Sequence, residues 1–379
     1  MRIAYEGGVF EIMRHGGAAR YFLDLINHLP PSVQPVVMPP EGLDLPLSQP
    51  ATEIESVRIK PPLKMVRRYW RPAQHTRLAQ QVASTKPDLV HWTYYVGLCR
   101  RPIKRGPLPN VVTVLDFIHE AFPELDPEGE NRRWQRQAIE AADHICCISE
   151  TTYAELCQRY PQAAKRASVT LLGNTFGSVI AEPAPKAVTE RPYVLFVGRR
   201  SGYKNFRVVW DAWKQARMSC PDLDLVIAGP PMKRRERANL GMLHQPDGFI
   251  HLGAVSDSQL KGLYQSAAAF VFPTQMEGFG LPALEAMECE TPVLASTCEA
   301  LQEVLGPAGH YFDPHRVNRL TELFIAVGRQ SLPDRETKLD IGRKRAQEFS
   351  WQRTASQTAQ AYRQVLANQT HHLSRRLAA

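Results

Sequence analysis

A chain of 379 residues is longer than one hydrophobic core readily fills, so two domains are expected. With 44% hydrophobic and 22% charged residues it has the make-up of an ordinary globular protein, which excludes disordered and collagen-like classes. The formal net charge of +8 asks where the basic residues gather.

The start, "MRIAYEGGVFEIMRHGG", carries charges too early for a secretory leader. "RIAY" reads as a strand, and Gly16 and Gly17 in "HGGAARYF" open the helix "AARYFLDLINHL", where a glycine pair suits a phosphate or an acceptor but equally an ordinary turn. After the strand "PVVMP" comes "KPPLKMVRRYWRP", which with "CRRPIKRG" concentrates Lys and Arg in the first third of the chain. Tyr69 and Trp70 among those cations suit an anionic membrane surface, contacted through Arg67, Arg68 and Arg71. A solvated basic face is the plain alternative. No nucleic-acid-binding motif accompanies the patch, so no nucleic-acid partner is expected.

"DLVHWT" and "NVVTVLD" read as further strands. "HWTYY" is placed to line an acceptor pocket, and "VVTVLDFIHEAFPE" brings Asp116, His119 and Glu120 to a strand end. A carboxylate and an imidazole there could orient or deprotonate an acceptor hydroxyl; a helix-capping Asp and a structural His are the alternatives. The strand "HICCIS" contains adjacent Cys146 and Cys147. The seven cysteines are odd in number and show no C-x-x-C pair, which argues against a disulfide framework or zinc site and for a reducing cytoplasm. The helix "TTYAELCQRY" and strand "SVTLLG" complete the series, and near Ile180 the chain lapses into the Pro-punctuated "AEPAPKAVTERP".

A second alternating series then begins with "YVLFVG", "LDLVIAG", "FIHLG", "AAFVFP" and "TPVLAS". The alternation predicts two α/β domains with doubly wound parallel sheets, residues 1–182 and 183–351, with a C-terminal helix 352–379 returning to the first. Ligands in such sheets sit beyond the carboxyl ends of the strands, here in the cleft between the domains.

Two strand-end loops of the second series stand out. "RRSGYKN" places Arg199, Arg200 and Lys204 where a diphosphate would be held, unless it is a plain exposed basic turn. "PTQMEGFGLPALEAMEC" joins Glu277 to Gly278, Phe279, Gly280, Leu281 and Pro282 at a helix start, with Glu285 inside the helix. Glycines let the backbone approach a ligand, and free amides at a helix N-terminus take anions or hydroxyls. Glu277 can accept bonds from sugar hydroxyls and Glu285 the paired hydroxyls of a ribose; two solvated glutamates on a core loop are the alternative, which leaves Gly-Phe-Gly-Leu-Pro unexplained. No P-loop or dinucleotide fingerprint is present, and no His/Cys cluster suggests a metal.

With "MEGFGLPALEAM", "FVGRRSGYKNF", "CCISETT" and "FSWQRTA" in hand, the sequence resembles the retaining glycosyltransferases of family four, of GT-B type. The resemblance covers nearly the whole chain, with Glu277 and Glu285 at the positions of the family's Glu-x7-Glu pair. It implies that Glu277 contacts the transferred sugar, Glu285 the ribose, and Arg200 and Lys204 the diphosphate, with Arg199 competing for the arginine role. It implies further that amides around Phe279 to Leu281 add to phosphate and sugar binding, and that Gly16 and Gly17 meet the phosphates when the domains close. Many relatives read His-Asp where this chain has Leu115-Asp116, so a catalytic role at that point is in question.

The expectation is a cytoplasmic hexosyltransferase, peripheral on the inner membrane face. It needs neither metal nor other cofactor, the nucleotide-sugar being a substrate. Its partners are that donor, with GDP-mannose the first choice, and a saccharide or lipid-linked acceptor of cell-surface polysaccharide synthesis. A nucleotide-sugar-binding protein without catalysis, a sugar-nucleotide epimerase and a basic surface adaptor are the alternatives.

Overall fold

A computed structural model of the chain describes residues 1–13, 16–58, 67–200, 202–242, 244 and 246–377, of which 67–73 and 370–377 are described in backbone only. It divides into two compact units, Met1–Gly173 with Ser350–Ala379, and Asn174–Phe349.

Among the described residues the first unit is built on nine strands: β1 (Arg2–Glu6), β2 (Gln34–Met38), β3 (Glu53–Ile54), β4 (Leu89–Trp92), β5 (Val96–Gly97), β6 (Arg101–Pro102), β7 (Asn110–Val114), β8 (His144–Cys147) and β9 (Ala167–Val169). All but β5 and β6 form one sheet in the order β3-β2-β1-β4-β7-β8-β9, while β5 and β6 make a small antiparallel hairpin. The large sheet is parallel, with Ile3 of β1 opposite Pro35 of β2 on one side and Leu89 of β4 on the other. Near-continuous apolar runs such as "VVTV" are what strands covered on both faces require. Helices cover them: Gly17–Asn27 buries Tyr21, Phe22, Leu25 and Ile26 on one stripe, and Glu150–Arg159 starts from Ser149, whose Oγ accepts the Thr152 amide at 2.9 Å.

The C-terminal helix Trp351–Leu377 belongs to this unit. Tyr362 on it places its hydroxyl 2.8 Å from that of Tyr5 and 2.6 Å from His91 Nδ1. His91 Nε2 in turn lies 2.9 Å from the Thr113 hydroxyl, which meets Tyr21 at 3.1 Å. Burial pushes the His91 imidazole down to about 3, so the chain of contacts is one of neutral groups. His91 is therefore a core residue joining strand to helix, and it lines no acceptor pocket.

The second unit adds β10 (Tyr193–Val197), β11 (Asp224–Ala228), β12 (Phe249–Gly253), β13 (Ala269–Phe272), β14 (Val293–Ser296) and β15 (His310–Phe312), in the order β12-β11-β10-β13-β14-β15. Val194, Phe196, Phe206, Trp210, Trp213 and Phe249 lie at the heart of its core. The indole N–H groups of Trp210 and Trp213 donate to the carbonyls of Leu240 and Leu223 at 2.8 and 2.9 Å.

The division between units falls at Gly173, upstream of the Pro-punctuated stretch rather than after residue 182. The reason is local. The Glu182 amide donates to Ser258 at 3.0 Å, the Ser258 hydroxyl donates to the Glu182 carboxylate at 2.7 Å, and Lys261 donates to the Phe176 and Val179 carbonyls at 2.7 Å each. Gly262 in helix Asp257–Ser266 permits this, since a Cβ there would stand 1.7 Å from the Glu182 carbonyl. The chain is thus tied to the second unit from Phe176 to Glu182.

Among the described residues, no helix is long and apolar enough to cross a membrane. The side chains of Arg67, Arg68 and Arg71, on which the membrane-contact expectation rests, lie outside the described ones.

Candidate active site

In an open parallel sheet the strand order reverses at one point, and the loops leaving the two strands there diverge to open a crevice. In the second unit that point lies between β10 and β13. The loops that leave these two strands are the basic "GRRSGYKN" and the "PTQMEGFG" segment.

The structure brings Lys204 and Glu277 together across this point, Nζ to Oε1 at 2.5 Å. Their side chains are 20% and 12% exposed, open enough to exchange partners and sheltered enough for the charges to matter. The Lys204 ammonium also stands 5.1 Å from the Tyr203 ring centroid and 5.2 Å from that of Phe272, so aromatic faces support it on two sides. The two loops are stitched together by backbone: the Gln275 amide donates to the Tyr203 carbonyl at 2.8 Å. Asn205, at φ 52° ahead of helix Phe206–Ala216, donates to the carbonyls of Pro273 and Pro314 at 3.3 and 2.7 Å. The Ser296 hydroxyl fastens the far side by donating to the Thr274 carbonyl at 2.5 Å.

Helix Leu281–Glu288 then starts from Gly280 with no side-chain cap, and Pro282 lies in its first turn. Gly280 holds φ 109°, and a Cβ there would approach Leu301 Cδ2 to 2.6 Å. The position thus demands glycine twice over, and the helix that follows it starts without a side-chain cap. Gly278 and Phe279 are buried beside it, Phe279 packing edge-on against Phe349 at 5.6 Å. Glu285 is inside: 6% exposed, it accepts from the Tyr264 hydroxyl at 3.3 Å.

The two arginines separate. Arg199 is exposed. Arg200 is not gathered with Lys204; its side chain is 3% exposed, with Nε and Nη2 straddling the Glu236 carboxylate at 2.5 and 3.3 Å and Nη2 donating to the Pro230 carbonyl at 2.7 Å. The ion pair with Glu236 and the bond to the Pro230 carbonyl draw Arg200 toward the residues that follow β11. Glu236, Tyr203, Phe272 and Cys298 were not legible as parts of this neighbourhood. The Cys298 thiol is pushed up by burial, and the nearby Glu277 carboxylate adds to the effect.

In the first unit Gly16 and Gly17 are exposed at the start of helix Gly17–Asn27, and among the described residues no atom lies within 4 Å of where a Cβ at Gly17 would stand. Asp116 Oδ1 accepts the Ile118 amide at 3.0 Å where the short helix Ile118–Ala121 begins, and the Asp116 carbonyl accepts from Gln135 at 2.6 Å. His119 lies on that helix with Nδ1 buried and, among the described residues, without a hydrogen-bond partner. The Leu115 amide donates to the Tyr95 hydroxyl at 3.0 Å, and burial raises Tyr94, which Asp116 and Asp126 reinforce, to about 12.

Two tandem doubly wound units with a charged pair at the switch point of the second define a GT-B protein. Comparison with known proteins agrees. The group described as "Glycosyl transferases group 1" matches residues 180–343, and "Glycosyltransferase Family 4" matches residues 15–173. The chain is 30% identical over 274 residues to the O-antigen chain mannosyltransferase B of Escherichia coli, covering 67% of this chain and 70% of that one. It is 41% identical over 152 residues to the MMP alpha-(1->4)-mannosyltransferase of Mycolicibacterium hassiacum, covering 38% and 36%. Among solved structures, sucrose-phosphate synthase from Thermosynechococcus elongatus superposes with a TM-score of 0.74 over 97% of this chain and 99% of that one, at 20% identity. The chain belongs to the family 4 glycosyltransferases and is an enzyme of that class.

Proposed function

We propose that the enzyme transfers mannose, with retention of anomeric configuration, from GDP-mannose to a saccharide acceptor in the assembly of a surface glycan. The observation that carries the donor site is the Lys204–Glu277 pair at 2.5 Å across the switch point of the second unit. A nucleotide-sugar offers each member a better partner: the diphosphate for the ammonium and hydroxyls of the hexose for the carboxylate. The uncapped helix start at Gly280 and Leu281 adds amides for the phosphate or the sugar, with Gly278 and Phe279 shaping the cradle. Of the two arginines, the exposed Arg199 takes the phosphate, and Arg200 with Glu236 braces the loop. Glu285 is assigned to the ribose, which requires it to exchange its bond with Tyr264.

Breaking the anomeric bond builds negative charge on the departing diphosphate, and a fixed cation and amides stabilise that charge as it forms. The sugar acquires oxocarbenium character, and the acceptor oxygen attacks from the face the diphosphate leaves. In this scheme the donor diphosphate takes the acceptor proton. Asp116 and His119 are assigned to orient the acceptor. The mannosyltransferase names of the two relatives support the choice of sugar, and the O-antigen name supports a glycan acceptor.

A donor that binds only the folded state raises its melting temperature in proportion to log concentration. Thermal scans against GDP-mannose, UDP-glucose, UDP-galactose and dTDP-rhamnose should show stabilisation by GDP-mannose above the others. Preferential stabilisation by a UDP-sugar would overturn the choice of donor. Proton NMR of the first-formed product gives the anomeric outcome, and a β-linked product would overturn retention.

A further inference from the structure

The switch point of the first unit lies between β1 and β4. Glu6 is the last residue of β1 and Trp92 the last of β4, and the hairpin of β5 and β6 brings Arg101 to them. Glu6 is completely buried, and Trp92 is 7% exposed. Arg101 Nη2 stands 3.7 Å from Glu6 Oε1, and its guanidinium lies 4.9 Å from the Trp92 ring centroid.

These three side chains share a second property. Glu6 Oε2, Trp92 Nε1 and Arg101 Nε are all buried and, among the described residues, without a hydrogen-bond partner. Unmet buried polar groups are rare, and three within one cluster at a strand-order reversal ask for a common explanation. Glu6 Oε1 does have a structural duty, since it accepts the Leu98 amide at 2.7 Å and the Gly8 amide helps hold the carboxylate. That duty leaves Oε2 unused.

The cover is also unusual. Cys99 and Arg100, between β5 and β6, both hold φ 57°, a left-handed conformation that costs any residue with a Cβ. Side-chain contacts tether the two: the Cys99 amide donates to Glu11 at 2.7 Å, and Arg100 pairs with Glu130 at 3.0 Å. Strain of this kind gathers at ligand clamps.

We propose that Glu6, Trp92 and Arg101 form a binding site for one neutral hexopyranose unit of the acceptor, reached when the β5–β6 hairpin lifts. A sugar hydroxyl both donates and accepts, so it can give its proton to Glu6 Oε2 and receive from Trp92 Nε1 or Arg101 Nε. The indole offers its apolar surface to the ring C–H groups, as polar groups on an apolar floor do in small-molecule sites. This inference rests on the glycosyltransferase reading but not on the identity of the donor.

The test follows the Trp92 indole N–H directly. Methyl α-D-mannopyranoside is titrated into the full-length protein while tryptophan indole signals are recorded by NMR, with Trp92→Phe identifying the signal. The expected result is a saturable downfield shift of that signal, at least tenfold weaker binding in Arg101→Lys and Glu6→Gln, and unchanged GDP affinity in both variants. An unmoved Trp92 signal at saturating glycoside would overturn the site, as would wild-type glycoside affinity in folded Arg101→Lys. Arg101→Lys keeps the charge, so the test stands even if Glu6→Gln does not fold. If GDP fails to stabilise the wild type while the glycoside still moves Trp92, the donor reading falls and this site stands.

Discussion

The two switch points of this molecule are built from opposite materials. Between β10 and β13 the charges lie in two local loops, partly exposed, and they satisfy each other as Lys204 and Glu277. Between β1 and β4 the polar groups come from separate strand ends, are buried, and leave Glu6 Oε2, Trp92 Nε1 and Arg101 Nε without partners among the described residues. A diphosphate needs cations that can change partner, so a labile ion pair suits it. A neutral sugar needs directional donors and acceptors out of water, so unmet buried groups suit it. With the roles proposed above, one sheet architecture hosts both kinds of recognition, according to whether its strand-end groups are paired or left open.

The sharpest way to break this contrast is at the ion pair. Lys204→Ala and Glu277→Ala are each expected to lower transfer by about 100-fold or more, as loss of a fixed group at a developing charge does. Melting should change little by comparison, and nucleoside diphosphate release together with a thermal scan reads both. Near-normal transfer in the two variants would remove the second unit's half of the comparison.

Arginine replacements sharpen it next. Arg200→Ala strands the Glu236 carboxylate and is expected to cost about 3 kcal/mol in urea unfolding, in the range of a broken buried pair. Arg199→Ala, at an exposed position, should leave stability within about 0.5 kcal/mol and raise the donor KM. The reverse pattern would exchange the two roles.

Acid separates the units less strongly. His91 in the first unit is held neutral with its pKa at about 3, and burial lowers His310 in the second to about 4, against about 6.5 in the unfolded chain. Each contribution is fully present above pH 6.5 and is lost as pH falls below it, down to the folded pKa. Each should take away about 2 kcal/mol by pH 5. Urea unfolding at pH 7 and pH 5 measures the loss, and His91→Gln should flatten the slope for the first unit alone.

The smallest effect is expected from Tyr362→Phe, which removes the hydroxyl shared by Tyr5 and His91 and should cost about 1 kcal/mol. A melt resolved by unit, following tryptophans of the second separately, should show the loss in the first.

Much of the fold was readable because its information is local. "VVTV", "YVLFVG" and "AAFVFP" are apolar runs that only buried parallel strands use, and all of them are strands. The short β3, β5, β6 and β15 carried too few residues to show a period. The need for glycine at position 280 was readable for the same reason, since its φ of 109° is a local demand. The division of labour between Arg199 and Arg200 was not, because it depends on Glu236, 36 residues away. Of the Glu6, Trp92 and Arg101 cluster, Trp92 lay in "HWTYY" and Arg101 in "CRRPIKRG", but no stretch showed the three together, because they come from separate parts of the chain. His91 misled for a related reason, since its partner Tyr362 lies 271 residues further on.

That last distance has a consequence for how the protein is made. The first unit needs the helix Trp351–Leu377, while the second unit is one uninterrupted segment. During synthesis the second unit has its whole sequence available before the first does. The portion that emerges first from the ribosome is therefore the last to be completed, and it waits with Tyr5 and His91 unmatched until Tyr362 arrives. Chains halted before Trp351 should be the ones that chaperones bind longest.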